Sequence, residues 1–294
     1  MSGPFYRLKG IQVSGSVSLA RHTSFRIGGP ADYLVRVNSR RALKEVILII
    51  GRSRIPYFII GAGTNLLVRD RGFRGAVIKL VGPFKKIRNR GDLFFCGGAA
   101  LLNDFVAYTV RRGYGGAEFL SGIPGSVGGA VKGNAGAWGQ SIGEIVERIW
   151  VVDRRGQEQV RNRTAIKFAY RKSGIRDGTI ITGVEIRLSR RSRAAIRKEL
   201  GQYRKARQVR QPRGWSAGSF FKNPAHCPAG KLIEDCGLKG CRVGDALVSE
   251  RHANFIINLG RARASDILAL ARIVKERVRR IKGVELEAEV RVLG

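Results

Sequence analysis

A chain of 294 residues is longer than a single hydrophobic core usually supports, so we expect two or three packed units. Hydrophobic residues make up 44% of the chain and aromatic residues 8%, a composition that excludes an intrinsically disordered protein. The 55 Lys and Arg outnumber the 22 Asp and Glu, and the resulting net charge of +33 attracts polyanions of every kind. Charge alone does not separate a nucleic-acid partner from a small anionic substrate.

No segment is typical of a leader or of a membrane span. The first residues lack an apolar region followed by a small-residue cleavage site. The longest apolar stretch, residues 46–60, contains Gly-Arg-Ser-Arg and is unsuited to a bilayer. We therefore expect a cytoplasmic protein with no membrane partner. A monomer is also expected.

The first predicted elements form a small strand–helix–strand unit. A strand is expected over residues 32–37, a helix over 41–50 and a second strand over 57–60. Asn38 or Ser39 can cap the helix at its start, and a glycine follows its end. The second strand runs directly into a glycine-rich segment, residues 61–65.

The middle of the chain continues the mixture of short helices and strands. Its predicted elements, in chain order, are a strand over 93–96, a helix over 103–112, a glycine-rich segment over 122–139 and strands over 149–153 and 180–188. A basic helix over residues 192–209 then leads to the C-terminal part.

The C-terminal part is predicted to hold a loop, a helix and a strand. The loop covers residues 218–224, and the helix is capped by Ser265 and stopped by Gly283. The final strand, 285–293, places on one face Glu285, Glu287, Glu289 and Arg291, opposite Leu286, Ala288, Val290 and Val292. The elements together indicate an α+β fold.

Two glycine-rich segments, 61–65 and 122–139, are predicted to be loops and are candidate phosphate sites. Backbone N–H groups without side-chain bulk around them form concave anion sites. The first segment lacks the last glycine of the nicotinamide-dinucleotide fingerprint, and the second has P-loop spacing at Gly128 and Gly133 without the required Lys-Ser/Thr. Each segment alone could be a structural turn, whereas the two together favour a dinucleotide cofactor.

The four cysteines are expected to be reduced thiols that pack in the core. Three of them, Cys227, Cys236 and Cys241, lie near His226 in the sequence, which raises the alternative of a zinc site. The spacing contains no C-x-x-C element, so core packing is favoured over metal and over disulfides.

Seven motifs together give the sequence a specific resemblance. They are GAGTNLLV at 61–68, the glycine segment 122–139, FAYRKS at 168–173, GSFFKNP at 218–224, AGKLIEDCGLKG at 229–240, HANFIIN at 252–258 and LEAEVR at 286–291. In this order they resemble the UDP-N-acetylenolpyruvoylglucosamine reductase family, in its shorter subtype, from about residue 22 to the end of the chain.

The resemblance implies a fold and a cofactor. The fold has a flavin-binding region of the p-cresol-methylhydroxylase type, made of two α+β subdomains over 1–81 and 82–195, and a C-terminal substrate-binding domain over 196–294. FAD is expected to bind without a covalent bond, with NADPH as hydride donor. The implied FAD contacts are Gly61, Ala62, Gly63, Thr64, Asn65, Gly122, Pro124, Gly125, Ser126, Gly128, Gly129, Asn134 and Ala135. Lys132, at a position where a more apolar residue is expected, points to solvent or adds charge near the diphosphate.

The implied reaction reduces UDP-N-acetyl-3-O-(1-carboxyvinyl)-glucosamine to UDP-N-acetylmuramate for peptidoglycan. It needs a hydride source, a cation at the substrate carboxylate and a proton donor at the developing carbanion. The resemblance assigns the cation to Arg171, whose guanidinium suits a carboxylate, and the proton to Ser219. Glu289 is expected to assist in polarising the enolpyruvyl group or in positioning the proton donor. Composition alone would leave Arg171 a surface arginine, Ser219 a loop serine and Glu289 a solvated carboxylate.

The substrate is expected to contact three further residues, Tyr170, Lys222 and Asn223. A packing or capping role is expected for His22, His226 and His252, since the family holds FAD non-covalently.

Two rival functions remain open at this point. One is another oxidoreductase with the same flavin fold that acts on sugars or alcohols, which would require a different C-terminal domain. The other is a basic nucleic-acid-binding module, whose binding would weaken steeply with salt. The basic runs lack interleaved aromatic residues and match no nucleic-acid motif, so no specific nucleic-acid partner is expected.

Overall fold

A computed structural model describes residues 4–6 and 8–294. Its β-strands are β1 (Ile11–Ser18), β2 (Pro30–Val37), β3 (Tyr57–Ile59), β4 (Leu66–Val68), β5 (Phe73–Leu80), β6 (Ile87–Arg90), β7 (Leu93–Gly97), β8 (Tyr114–Gly115), β9 (Gly136–Ala137), β10 (Gln140–Ser141), β11 (Val146–Val152), β12 (Glu158–Asn162), β13 (Ile180–Arg187), β14 (Ser189–Arg190), β15 (Arg242–Val243), β16 (Ala246–Val248), β17 (Ile256–Asn258) and β18 (Arg291–Leu293). Its α-helices are α1 (Arg40–Arg52), α2 (Leu102–Arg112), α3 (Val127–Gly133), α4 (Arg193–Arg210), α5 (Ala229–Asp235) and α6 (Ala264–Lys282).

The chain divides into two compact units, each made of segments distant in sequence. Unit 1 comprises Met1–Gly15, Tyr33–Ala62 and Gly75–Ala206, and unit 2 comprises Ser16–Asp32, Gly63–Arg74 and Arg207–Gly294. Both units contain parts of the predicted first subdomain, and the predicted boundaries after residues 81 and 195 stay a prediction.

Unit 1 is built around an antiparallel five-stranded sheet in the order β12-β11-β13-β7-β6. Alternate residues of these strands point to one face, where they meet the apolar sides of α2 and α3. Phe94, Phe105 and Phe119 are fully buried in this core. The resulting layer holds the second glycine segment, because α3 packs against β13 and β7.

The other core of unit 1 lies between α1 and a sheet with the strand order β1-β2-β5-β3. Leu43, Val46 and Ile47 of α1 recur at helical spacing and are buried against the sheet. The helix begins after Ser39, whose hydroxyl accepts a hydrogen bond from the amide of Ala42 at 3.2 Å. Ser39, and not Asn38, is thus the cap.

Unit 2 contains a small antiparallel sheet in the order β15-β16-β17, covered by α5 and α6. Ile267, Leu270 and Val274 of α6 form the buried stripe of that helix. The predicted cap of α6 is wrong, because Ser265 lies inside the first turn. The carboxylate of Asp70 accepts hydrogen bonds from the amides of Ala264 at 2.7 Å and Ser265 at 3.0 Å instead.

Two further predictions need correction. The predicted strand over 285–293 is only β18, which pairs in parallel with β4, while the preceding residues form isolated pairs. Leu286 and Val290 are buried as expected, whereas Ala288 and Val292 are exposed. The glycine segment 122–139 is not a continuous loop, since it folds into α3 and the first half of a hairpin, β9–β10.

The α+β prediction is confirmed, since helices and largely antiparallel sheets coexist in both units. In the part of the chain that the structure describes, no helix combines the length and the apolar character needed to cross a membrane.

Candidate active site

The two glycine segments meet in unit 1. The exposed Gly61 follows β3, and Ser126 is the N-cap of α3, where its hydroxyl accepts a hydrogen bond from the amide of Gly129 at 3.2 Å. A Cβ on Gly61 would lie 2.5 Å from the hydroxyl oxygen of Ser126, so only glycine permits this approach. Both segments are predicted to lie at one phosphate site, and this contact brings Gly61 of the first next to Ser126 of the second.

The contact leaves a group of backbone amides available. Within the described residues, the amides of Gly61, Ala62, Gly125 and Ser126 donate to no protein acceptor. Four such N–H groups on two adjoining segments suit a diphosphate, which offers only acceptor oxygens. The residues present therefore fit the phosphate part of a dinucleotide such as FAD.

The amides further along α3 are already engaged. Val127 donates to the carbonyl of Ala100 at 2.8 Å, and Gly128 donates to the carbonyl of Gly98 at 2.9 Å. Gly122 donates to the side chain of Asn103 at 3.0 Å. Any contact of Gly122, Gly128 or Gly129 with a cofactor would thus use groups other than a vacant N–H.

The rest of the first glycine segment lies in unit 2, next to the C-terminal strand. The side-chain amide of Asn65 donates to the carbonyl of Glu289 at 3.2 Å, and the carbonyl of Asn65 accepts from the amide of Arg291 at 3.2 Å. Ser24 donates through its amide to the carbonyl of Gly63 at 3.0 Å. Asn65 is therefore a link between this segment and Glu289.

Arg171 lies in unit 1 at the tip of a tight turn. Ala169 and Lys172 exchange backbone hydrogen bonds of 2.8 and 3.0 Å, and Arg171 has a φ of +54° between them. A left-handed conformation is unfavourable for arginine and is found where surrounding structure imposes it. The guanidinium donates through Nη1 to the carbonyl of Gly136 at 3.0 Å and lies 5.3 Å from the ring of Tyr170.

Asn134 fixes the base of this turn. Its side-chain amide donates to the carbonyl of Ala169 at 2.9 Å, and its side-chain oxygen accepts from the amide of Gly143 at 3.0 Å. The residue is buried and has a φ of +45°, which asparagine tolerates at the end of a helix. Asn134 is predicted to contact the cofactor, and in the structure both polar groups of its side chain form hydrogen bonds within the protein.

Lys132 does not point freely into solvent. Its ammonium group donates to the carbonyl of Ile175 and lies 3.1 Å from the carboxylate of Asp177. The carbonyl of Lys132 also accepts a hydrogen bond of 2.8 Å from the hydroxyl of Ser173. Lys132 thus ties α3 to the segment that follows Arg171.

Ser219 and Glu289 lie on neighbouring segments in unit 2. Ser219 pairs with Phe255, and Phe221 pairs with Ala288. The amide of Glu289 donates to the carbonyl of Phe220 at 2.8 Å, directly after Ser219 in the chain. Backbone pairing therefore brings together two of the three predicted catalytic residues, while Arg171 belongs to unit 1.

The predicted substrate contacts Lys222 and Asn223 also have partners inside unit 2. The ammonium group of Lys222 pairs with the carboxylate of Glu287, and the side-chain oxygen of Asn223 accepts from the amide of Ala229 at 3.0 Å. Asn223 thereby satisfies an amide at the start of α5. Tyr170, in unit 1, is exposed.

Asn254 is a positioning residue that the sequence analysis missed. This buried side chain accepts from the amide of Phe221 at 2.9 Å and donates to the carbonyl of Phe221 at 2.8 Å. The backbone of Asn254 also accepts from the amide of Phe220 at 2.7 Å. Asn254 lies in the HANFIIN motif, which was used for the resemblance but was given no role.

Burial lowers the pKa of His252, which favours the neutral imidazole. Its Nδ1 accepts a hydrogen bond from the amide of Asn254 at 3.2 Å, an arrangement that requires an unprotonated nitrogen. The ring packs against Phe255 at 4.9 Å between centroids. This environment agrees with the packing role expected for His252.

Among the described residues no group of three or more His, Cys, Asp or Glu side chains could hold a metal ion. Burial raises the pKa of Cys96, so that thiol is held in its protonated form. Two cavities of about 540 and 370 Å³ are open to the surface, and none of the predicted site residues lines them.

The class of this protein follows from a comparison with known families. Residues 31–160 match a family described as FAD binding domain. This match overlaps the amide group on the two glycine segments, and it makes the chain a flavoprotein of the FAD-binding class.

The remainder of the chain defines the family. Residues 209–293 match the C-terminal domain of UDP-N-acetylenolpyruvoylglucosamine reductase. A reductase of that name, numbered 2, from Symbiobacterium thermophilum is 44% identical over 94% of this chain and 90% of its own length. The reductase from Syntrophus aciditrophicus is 40% identical over 96% of this chain and 93% of its own length. The crystal structure of the Thermus caldophilus enzyme superimposes with a TM-score of 0.85 at 39% identity, covering 97% of this chain and 99% of that one.

The chain therefore belongs to the UDP-N-acetylenolpyruvoylglucosamine reductase family, which comprises FAD-dependent oxidoreductases of peptidoglycan precursor synthesis. The predicted family, fold class and FAD cofactor are confirmed.

Proposed function

We propose that this chain reduces UDP-N-acetyl-3-O-(1-carboxyvinyl)-glucosamine to UDP-N-acetylmuramate, with NADPH as the reductant of a non-covalently bound FAD. The observation that carries the proposal is the backbone pairing of the Ser219 and Glu289 segments, joined by the hydrogen bond from Glu289 to Phe220. The family match over residues 209–293 also disfavours the rival oxidoreductase, because that rival needs a different C-terminal domain.

In this proposal the amides of Gly61, Ala62, Gly125 and Ser126, which have no protein acceptor among the described residues, would hold FAD by its diphosphate. The other predicted contacts of the two glycine segments, including Thr64, Pro124 and Ala135, surround this group in the sequence. Bound FAD, once reduced, supplies the hydride that the vinyl carbon of the substrate accepts.

Arg171 binds the substrate carboxylate. As the vinyl group accepts hydride at its terminal carbon, the electron pair of the double bond moves to the carbon that bears the carboxylate. A guanidinium paired with that carboxylate stabilises the enolate charge by two parallel hydrogen bonds. The constrained backbone of the 169–172 turn holds the Arg171 guanidinium in place before the enolate charge develops.

Ser219 donates the proton that completes the reduction, and Glu289 supports it. The new C–H bond forms at the carbanionic carbon as the Ser219 O–H bond breaks, which leaves an alkoxide to be reprotonated from solvent. Asn254 holds the two residues after Ser219, so the hydroxyl is presented from a fixed segment. Glu289 assists in polarising the enolpyruvyl group or in positioning the proton donor, while Tyr170, Lys222 and Asn223 bind the nucleotide.

The proposed role of Ser219 is tested by separating the two halves of the catalytic cycle. We expect Ser219→Ala to keep the rate at which NADPH reduces the flavin and to slow flavin reoxidation by the enolpyruvyl nucleotide about 10²-fold or more, since a general acid contributes that much. Stopped-flow absorbance of the FAD-loaded enzyme measures both rates. Ser216→Ala, three residues earlier, is the matched control and should match the wild type in both. Equal slowing of both halves by Ser219→Ala would rule out a dedicated proton donor.

A further inference from the structure

The hairpin β9–β10 carries an aromatic residue in an unfavourable conformation. Its two-residue turn is Trp138-Gly139, with φ values of +59° and +78°. Turns of this kind are usually made by Asn-Gly or Gly-Gly, because two successive left-handed residues are costly for bulky side chains. A tryptophan at this position therefore needs a compensating contact.

The compensating contact is with α4. The indole of Trp138 stacks on the ring of Tyr203, with centroids 5.3 Å apart and planes inclined by 12°. The Tyr203 hydroxyl donates to Glu199 at 3.0 Å and accepts from the side-chain amide of Gln140 at 3.4 Å. Trp138 in the turn and Gln140 in β10 thus both contact Tyr203. All of these residues lie in unit 1.

Tyr203 is itself anchored. Glu199, which accepts the hydrogen bond from the Tyr203 hydroxyl, also pairs with Arg191 at 2.9 Å, and Arg191 reaches the buried Glu118 at 3.2 Å. The tyrosine ring is therefore a fixed support for the hairpin and not a freely rotating surface side chain.

The opposite end of the same hairpin holds Arg171. The carbonyl of Gly136, at the start of β9, accepts the 3.0 Å hydrogen bond from Nη1 of Arg171. Gly136 pairs with Ser141 across the hairpin, and Ala137 pairs with Gln140. Any movement of the turn is thus passed along two backbone pairs to the acceptor that orients the guanidinium.

We infer that Trp138 and Tyr203 are positioning residues that set the place of the Arg171 guanidinium through the β9–β10 hairpin. The inference rests on the proposed function, since it gives Arg171 the role of binding the substrate carboxylate. Neither aromatic ring needs to touch the substrate for this purpose. The stack keeps the Gly136 carbonyl where Arg171 can use it.

The test compares variants of the stack in FAD-loaded enzyme. Trp138→Gly suits the left-handed turn and removes only the ring, so the protein should fold. We expect it to slow flavin reoxidation by the enolpyruvyl nucleotide about tenfold, because displacing a binding group by ~1 Å can cost up to ~10²-fold. NADPH reduction of the flavin should be unchanged. Trp138→Phe keeps a stacking ring and should stay within about twofold of the wild type. Tyr203→Leu removes the same stack from α4 and should repeat the effect of Trp138→Gly.

Two further measurements separate positioning from a merely structural role. In an Arg171→Ala background, Trp138→Gly should cause no additional slowing, since residues that act through one another are not additive. A crystal structure of Trp138→Gly should show the distance from Arg171 Nη1 to the Gly136 carbonyl lengthened beyond 3.5 Å or the guanidinium displaced.

The outcomes are distinct. Unchanged reoxidation in both Trp138→Gly and Tyr203→Leu, or equal slowing in the presence and absence of Arg171, would overturn the inference while leaving the proposed function in place. Wild-type reduced enzyme that ignores the enolpyruvyl nucleotide would reject the proposed function. In that case the crystal structure alone decides whether the stack positions Arg171, and an unmoved guanidinium would reject it.

Discussion

Arg171 occupies a backbone conformation that arginine rarely adopts, and the surroundings impose it from three sides. Asn134 holds the carbonyl of Ala169, the carbonyl of Gly136 holds the guanidinium, and Lys172 closes the turn. A left-handed arginine costs about 1–2 kcal/mol relative to the right-handed conformation. Because Arg171 has a proposed catalytic role, strain of this size is better explained by function than by a contribution to stability.

Arg171→Gly should therefore separate activity from stability. Relief of the left-handed strain offsets the entropy of glycine and the lost hydrogen bond, so the free energy of unfolding should change by less than ~1 kcal/mol. Turnover should fall by about 10²–10³-fold or more, as for loss of a group that stabilises an oxyanion. Denaturant unfolding and steady-state NADPH oxidation measure the two quantities.

Arg54 provides the matched control, because it is also a left-handed arginine of unit 1, with a φ of +51°. Arg54→Gly should keep full turnover and gain up to ~1 kcal/mol of stability. Full turnover in Arg171→Gly, or loss of turnover in Arg54→Gly, would show that the strain at Arg171 has no link to catalysis.

At the scale of elements, a few buried polar side chains hold the segment that carries Ser219. Asn254 satisfies both backbone groups of Phe221, and the amide of Asn254 in turn donates to His252. The three residues Ser219, Asn254 and His252 thus form one connected part of unit 2. Substitutions of Asn254 or His252 should therefore affect Ser219.

Asn254→Ala should destabilise the protein and impair proton donation. It leaves the amide and the carbonyl of Phe221 without partners in a buried place, at about 1–3 kcal/mol for each group. Asn254→Asp keeps an acceptor for the amide alone and should lie between the wild type and Asn254→Ala. Urea unfolding and the reoxidation half-reaction measure these effects. Wild-type stability in Asn254→Ala would mean that water replaces the side chain without cost.

His252 should make stability depend on pH. Its folded-state pKa is lowered by burial, so the unfolded chain binds the proton more readily than the folded chain. Stability should therefore be full above the ordinary histidine pKa of 6.5 and decline as the pH falls through it. Lys239 opposes protonation further, and Glu234 favours it.

His252→Asn retains an acceptor near the Nδ1 position and does not titrate, so the decline between about pH 7 and 5 should flatten in this variant. Urea midpoints measured across that range give the comparison. An identical decline in both proteins would assign the pH dependence to other groups.

The same elements show which structural features could be predicted from the sequence and which could not. The start of α1 was predictable because Ser39 and the amide that it caps are near neighbours. The cap of α6 was not, because Asp70 reaches Ala264 from a distant part of the chain. Helix α3 was missed because its glycines are poor helix formers, and its formation depends on packing against the sheet of unit 1.

The candidate site likewise contains residues that could be predicted from the sequence and residues whose roles only the structure shows. Arg171, Ser219 and Glu289 were assigned from motifs that resemble a known family, and composition alone would have left each one unremarkable. The structural roles of Asn134, Asn254 and Trp138 depend on contacts with residues that are distant in the sequence. No local sequence pattern predicts such contacts. All four of Gly61, Ser126, Gly128 and Gly129 were predicted to contact FAD; among the described residues the amides of Gly61 and Ser126 have no protein acceptor, whereas those of Gly128 and Gly129 donate within the protein.

At the scale of the molecule, the excess of basic residues remains the most unusual property. Helices α4 and α6 expose several of them, including Arg197, Arg204, Arg272 and Arg279. A net charge of +33 creates a field that would attract the anionic nucleotide of the proposed reaction before any specific contact forms.

Salt should therefore weaken substrate capture more than catalysis. We expect kcat/KM for the enolpyruvyl nucleotide to fall by about threefold or more between ~20 and ~200 mM salt, where the screening length shrinks towards ~8 Å. The kcat should change by less than a factor of about two, since bound substrate no longer depends on steering. Parallel titrations with NaCl and KCl separate screening from specific ion binding. A kcat/KM that does not change with either salt would contradict electrostatic attraction of the substrate.

The proposed reaction requires reduced flavin in this protein to pass its hydride to an enolpyruvyl ether. Anaerobic stopped-flow mixing of NADPH-reduced, FAD-loaded enzyme with UDP-N-acetyl-3-O-(1-carboxyvinyl)-glucosamine measures this transfer. The absorbance of oxidised flavin should return promptly with this compound and not with UDP-N-acetylglucosamine, which lacks the vinyl group. Flavin that stays reduced in the presence of the enolpyruvyl nucleotide would rule out the proposed reaction.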